Sequence, residues 1–203
     1  MGFLVKEDDG VRLPPVPQGV HVGVCYAVYD IGTHFSEKFG KHTHQMLIAW
    51  ELSEERMDVE KDGKALSLPR VVSKKYNISL HEKATLRKHL QGWRGRAFTP
   101  EELKGFDVTK LLGANCQIQI IHKVVDGKTY ANIENILPAP KGLPKRDNEN
   151  ALVFFTFQEY MDIPSSTPDW IKELIQTSDE WECRMSGGEP PVPDMVPDDE
   201  VPF

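Results

Sequence analysis

In Val20-His21-Val22-Gly23-Val24-Cys25-Tyr26-Ala27-Val28-Tyr29 the residues Val20, Val22, Val24, Tyr26 and Val28 alternate with His21, Gly23, Cys25, Ala27 and Tyr29. A period of two sustained over ten residues predicts a half-buried strand with its even positions turned to a core. Tyr29 then shares the other face with Gly23, Cys25 and Ala27, whose small side chains leave room for a ligand. Beyond a glycine-punctuated loop at 32–42, residues 43–52 repeat the pattern, with Met46, Ile48, Trp50 and Leu52 on one face. Asp62-Gly63 predicts a hairpin turn. A third strand follows Pro69, with Val72, Tyr76, Ile78 and Leu80 on one face and Ser73, Lys75, Asn77 and Ser79 on the other.

Further along, residues 82–93 read as a helix with Leu86 and Leu90 four apart, and Thr99-Pro100-Glu101-Glu102 supplies a cap, a proline and an acidic first turn. Another helical turn is expected at 107–112, ended by Gly113. Residues 115–125 and 128–137 are two strands joined by Asp126-Gly127. After a polar linker at 138–150, residues 152–161 predict an added strand, and Thr167-Pro168-Asp169 opens a helix running to about Arg184. Three strands, a helical interlude and a two-strand hairpin is the element order of an OB-fold. The expected fold class is therefore mainly β: a five-stranded OB-fold barrel with a helical insertion and a C-terminal strand-helix extension. The expected divisions are an extended, proline-rich lead-in (1–18), the barrel (19–146), the extension (147–185) and a disordered acidic tail (186–203).

Charge is divided unevenly over the 203 residues, whose net formal charge is −7. Residues 1–146 hold 22 Lys and Arg against 17 Asp and Glu, a balance of +5, whereas residues 147–203 hold 2 against 14, a balance of −12. Within 70–96 stand Arg70, Lys74, Lys75, Lys83, Arg87, Lys88, Arg94 and Arg96 with one acid, Glu82. A basic patch on the body beside a polyanionic tail is the pattern of a polyanion-binding domain with a competing tail. Cys25, Cys116 and Cys183 are too far apart in sequence for a metal or redox pair and point to a reducing cytoplasm. No secretory signal and no membrane-spanning stretch is expected.

Candidate contacts combine aromatic rings, which can stack bases, with cations, which neutralise phosphates. The first loop offers Phe35, Lys38, Phe39 and Lys41. Phe35 and Phe39, four apart, fit one turn of a packed helix equally well. Trp93-Arg94-Gly95-Arg96 forms a second cluster, in which Trp93 is better suited to the core and Arg94 and Arg96 to gripping phosphate. Arg87 is exposed on the helix. Strand faces add Tyr29, Lys74, Lys75, Asn77, Lys123 and Tyr130. Catalysis is unsupported: no glycine-lysine pair has the preceding glycine spacing and following hydroxyl of a phosphate-cradling loop, and His42 and His44 with His34 lack a Cys or acidic partner at close spacing. No cofactor and no metal is expected.

The pieces GVCYAVYDIGTH (23–34), KKYNISLHEKATLRKHLQGWRGRAFTPEEL (74–103), LLGANCQIQIIH (111–122) and TYANIENILPAPKG (129–142) resemble a group of bacteriophage single-stranded DNA-binding proteins with a decorated OB-fold. That resemblance implies non-catalytic binding and protection of exposed strands during phage DNA replication or recombination, in the cytoplasm of an infected bacterium. The last six residues, Asp198, Asp199, Glu200, Val201, Pro202 and Phe203, resemble the acidic tip by which bacterial single-stranded DNA-binding proteins dock replication and repair partners. The tail is also long enough, at about 55 Å for 18 extended residues, to reach back over the body's basic groove. Two other classes stay open: an adaptor that binds another polypeptide, and a single-stranded RNA-binding protein. A homo-oligomer also stays open, with residues 151–185 placed to cover or create a dimer surface.

Overall fold

The computed structural model describes residues 14–36, 40–61, 64–142 and 144–188. Most of the expected lead-in, the candidate contacts Lys38 and Phe39, the turn at Asp62-Gly63 and the acidic end from Glu189 through Phe203 lie outside the described residues. Six strands and three helices follow in the order β1 (Gly19–Ser36), β2 (Lys41–Lys61), β3 (Lys64–Asn77), α1 (Thr85–Arg94), β4 (Asn115–Val125), β5 (Lys128–Pro138), β6 (Val153–Phe155), α2 (Asp169–Gln176) and α3 (Asp179–Ser186). The chain is mainly β, as the hydropathy pattern predicts. Five strands pair antiparallel in the order β3-β2-β1-β4-β5, and β6 adds to β1 in parallel.

β1 is long enough to serve three partners. Its first part, 19–24, pairs with β4, the part from Val24 onward with β2, and Ala27 to Tyr29 with β6. Between Cys25 and Ala27 the register to β2 slips by one residue, a bulge at Tyr26. An inserted residue flips every side chain beyond it to the opposite face. Cys25 and Val28 therefore both enter the main core, whereas Ala27, Tyr29 and Ile31 face the other way. The even-inward pattern expected for β1 holds only past the bulge, and Val20 is exposed.

The main core is packed by Met46, Ile48, Trp50 and Leu52 of β2, the face expected to be apolar, together with Tyr76, Ile118, Ile120, Ile133 and Ile136. α1 lays Leu86, Leu90 and Trp93 onto it, and the Trp93 ring meets that of Trp50 at 5.8 Å between centroids. Each large apolar side chain buried in this way contributes about 1.5–3 kcal/mol. The ladder path ends at β3 and β5, so among the described residues the sheet is open there. Lys74 Nζ spans that seam, donating to Ile133 O at 3.0 Å. At the far end of β4 and β5, Asp126 and Gly127 both take positive φ, 49° and 74°, the conformation that the predicted Asp-Gly turn requires.

A second core lies on the opposite face of β1 and β2. Ala27 sits opposite Ala49 and Tyr29 opposite Leu47 in the ladder. The space above the two alanines is filled by Val153, Phe155, Ile171 and Ile175 of the extension. The strand expected at 152–161 shrinks to the three residues of β6. The helix expected up to Arg184 breaks at Ser178, whose hydroxyl leaves the helical pattern to cap α3 by accepting from Trp181 N at 3.3 Å. Gly32 allows a close approach of β1 to the N-cap of α3, because a Cβ there would lie 2.4 Å from that of Ser178. The linker is fastened by Glu51, a fully buried carboxylate that accepts from Glu149 N (2.7 Å), Asn150 N (2.9 Å) and Asn150 Nδ2 (2.7 Å). A carboxylate tolerates such burial only when donors replace its water.

Candidate nucleic-acid interface

Sheet edge and helix together assemble a cation cluster at the β3–β5 seam. Alternation along β3 turns Val72, Lys74 and Tyr76 one way and Ser73, Lys75 and Asn77 the other. Lys75 and Asn77 are exposed, as predicted, and Lys74 is half-buried. Burial holds the Lys74 ammonium pKa below its ordinary value, the Lys123 and Lys88 charges push the same way, and Glu134 opposes them. Lys88 of α1 and Lys123 of β4 are thus both close enough to Lys74 for their charges to act on it. Tyr130 stands directly opposite Lys123 in the β4–β5 ladder with half its surface exposed, 50%. Beneath the cluster, the Tyr76 hydroxyl bonds His89 Nδ1 at 2.8 Å and His89 Nε2 bonds Glu134 O at 3.1 Å. Since a carbonyl only accepts, Nε2 carries the hydrogen and Nδ1 accepts from the tyrosine. Burial, with the Lys74 charge second, pushes the imidazole down to about 4 and keeps it neutral.

Arg94 and Arg96 are placed elsewhere and otherwise engaged. Arg96 forks onto Glu102 with Nη1 to Oε2 at 2.9 Å and Nη2 to Oε1 at 2.7 Å, and Arg94 Nη2 pairs with the same carboxylate. Arg94 also lies over the rings of Phe98 (4.5 Å) and Phe106 (5.3 Å). Glu102 further accepts from Thr99 N at 3.0 Å and its own N–H donates to Thr99 Oγ1 at 3.3 Å, a reciprocal pair at the start of the short helical turn expected from Thr99-Pro100-Glu101-Glu102. The Arg96 hydrogen bonds, with those from Thr99 and Arg94, bring the Glu102 carboxyl down to about 2. This clasp spends its charge internally.

Other candidates are dispersed. Tyr29 is corrected outright: the room left by its small neighbours is taken by β6 and α2, and the ring is fully buried. Trp93 is in the main core, as the core alternative has it, with Nε1 donating to Asn115 O at 3.0 Å. Arg87 Nη1 donates to Leu80 O at 3.1 Å. At the β1–β2 hairpin Phe35 is exposed, its ring 5.1 Å from that of His42, and Lys41 is half-buried. The histidines there have separate partners: His42 Nδ1 with Asp179 at 2.6 Å, His44 Nε2 with Asp30 at 2.7 Å and His34 Nε2 with Ile31 O at 2.8 Å. Among the described residues no cluster of three or more His, Cys, Asp or Glu is placed to hold a metal. No helix among them is long and apolar enough to cross a membrane.

Lys88 and Thr85 were not singled out as contacts by sequence pattern. Lys88 carried a usable signal, its place in the 70–96 basic run, whereas Thr85 carried none before the end of β3 was seen to meet the start of α1. Compared with known proteins, the chain matches no protein-family model, and no curated protein is significantly similar to it in sequence.

Proposed function

We propose that this chain binds single-stranded DNA without reading its sequence, on an OB-like barrel whose β3–β5 seam carries the contacts. The observation that carries this reading is the approach of Lys88 and Lys123 to Lys74, with exposed Lys75 adjoining it on β3 and the exposed ring of Tyr130 opposite Lys123 in the ladder. Lysines near one another are held at a cost in mutual repulsion that a polyanion relieves, and each neutralised phosphate releases condensed counterions. An exposed ring next to those charges stacks a base of any identity, worth about 1–3 kcal/mol per base. The barrel reading is supported by the element order, by β1 pairing with both β2 and β4, and by α1 lying between β3 and β4 in sequence. A role in phage replication or recombination, the host cytoplasm as its place and recruitment of partner proteins by the acidic end belong to the same proposal and rest on the sequence resemblance.

Titration of the full chain with an oligothymidine, the matching RNA and a duplex over a range of salt tests it. Preference for the single DNA strand is expected, with affinity falling along a log-log slope of about −0.7 per neutralised phosphate, near −3 if four lysines each meet one. Duplex preference, RNA preference or insensitivity to salt would overturn it.

A further inference from the structure

Between the end of β3 and the start of α1 lies a depression of about 300 Å³ lined by Lys74, Lys75, Tyr76, Asn77, Thr85 and Leu86. Lys74 and Lys75 are consecutive and leave the strand on opposite faces. Both border the same depression because β3 is the last strand of the sheet, where the two faces open onto one space. The polar groups around it are two ammoniums, the Asn77 amide and the Thr85 hydroxyl, all able to donate, while the Tyr76 hydroxyl is held by His89. Among the described residues no carboxylate lines it. The cavity beside the arginine clasp, of about 480 Å³, differs on that point: Glu102 and Asp107 stand in its wall with Arg94, Arg96 and Lys110.

We infer that the depression at the β3 end is a seat for one phosphate group of the bound strand, in which Lys75 and Lys74 supply charge and Asn77 and Thr85 supply directed hydrogen bonds. The inference rests on the nucleic-acid function proposed above and narrows it. A smooth positive field attracts a backbone anywhere along it, whereas donors of fixed direction hold one phosphate in register. A strand so fixed passes a base toward Tyr130 at a defined spacing. The neutral donors separate the two cases, since they add nothing to the field.

The test uses the full chain, an oligothymidine without terminal phosphate, and inorganic phosphate as the second probe. Thr85→Val and Asn77→Ala are each expected to weaken oligothymidine binding about tenfold while leaving the salt slope unchanged, as the loss of a hydrogen bond to a charged group requires. Thr85→Ser, which keeps the hydroxyl, is expected to bind like the parent and controls for folding. Lys75→Gln is expected to lower the slope by about 0.7. Amide resonances of Lys75, Asn77, Thr85 and Leu86 are expected to shift saturably with inorganic phosphate, and those of 94–106 to stay in place. Full affinity in both neutral variants, or phosphate shifts spread over all lysine-bearing segments, would overturn the seat and leave the nucleic-acid function standing. Localised phosphate shifts in a chain that ignores oligothymidine would instead overturn the nucleic-acid function and identify the seat with another phosphate ligand.

Discussion

Two cationic regions dominate this molecule, and they differ in what answers their charge. At the β3–β5 seam, burial holds the Lys74 pKa below its ordinary value, with Glu134 opposing and the Lys123 and Lys88 charges adding to the shift. At the turn after α1, two guanidiniums close on one carboxylate that is brought down to about 2. By side-chain chemistry the arginines are the stronger candidate for phosphate, because a planar fork suits it better than an ammonium. Position reverses that ranking: a guanidinium already forked onto Glu102 must lose that partner before it gains another. Charge not already forked onto a carboxylate, rather than charge as such, marks where a polyanion gains most.

Removing charge from the seam is expected to have the largest effect. Lys75→Ala, Lys88→Ala and Lys123→Ala together should lower the salt slope by about 2 and the affinity for oligothymidine at 0.1 M salt by about 100-fold. An unchanged slope would break the comparison. Arg94→Ala, which empties a site packed between Phe98 and Phe106, is expected to lower stability by about 1–3 kcal/mol in denaturant titration while the folded protein keeps its affinity and slope. Arg96 is more exposed, and Arg96→Ala should leave stability nearly unchanged and change binding less than twofold. A slope reduced by either arginine variant would move the interface to the clasp.

Acid should separate the regions by stability as well. His89, near the seam, has its folded pKa lowered from 6.5 to about 4, so the unfolded chain takes the proton first. Its contribution is complete above about pH 6.5 and is lost as pH falls toward 4. Glu102 likewise has its folded pKa lowered, from 4.5 to about 2, and its contribution is present above 4.5 and lost below that, toward 2. Thermal melts across pH 7 to 2 are therefore expected to fall in two stages, with His89→Gln removing the dependence between 6.5 and 4 and Glu102→Gln that below 4.5.

Much of the fold was legible. Met46, Ile48, Trp50 and Leu52 alternate without a break and are buried as the pattern demands, and Asp126-Gly127 turns as its chemistry dictates. β1 was read only in part, because valine and small residues on both faces hide a bulge at Tyr26 that no periodicity reveals. The small side chain at Ala27 did signal missing volume, expected to be room for a ligand. What fills it is Phe155, Ile171 and Ile175 from more than a hundred residues away, a pairing that local pattern cannot supply. For the candidate site, Lys75, Asn77, Lys123 and Tyr130 were readable as exposed strand positions. Glu102 is legible as part of an acidic first turn, and its second task, meeting Arg94 and Arg96, exists only once the chain turns between Arg94 and Thr99.

The most direct test of where the strand lies is amide hydrogen exchange of the full chain with and without saturating oligothymidine. Protection is expected at 74–77, 85–88 and 122–131, with 94–106 exchanging as in the free protein. Protection centred on 94–106, with the β3–β5 seam unaffected, would contradict the account.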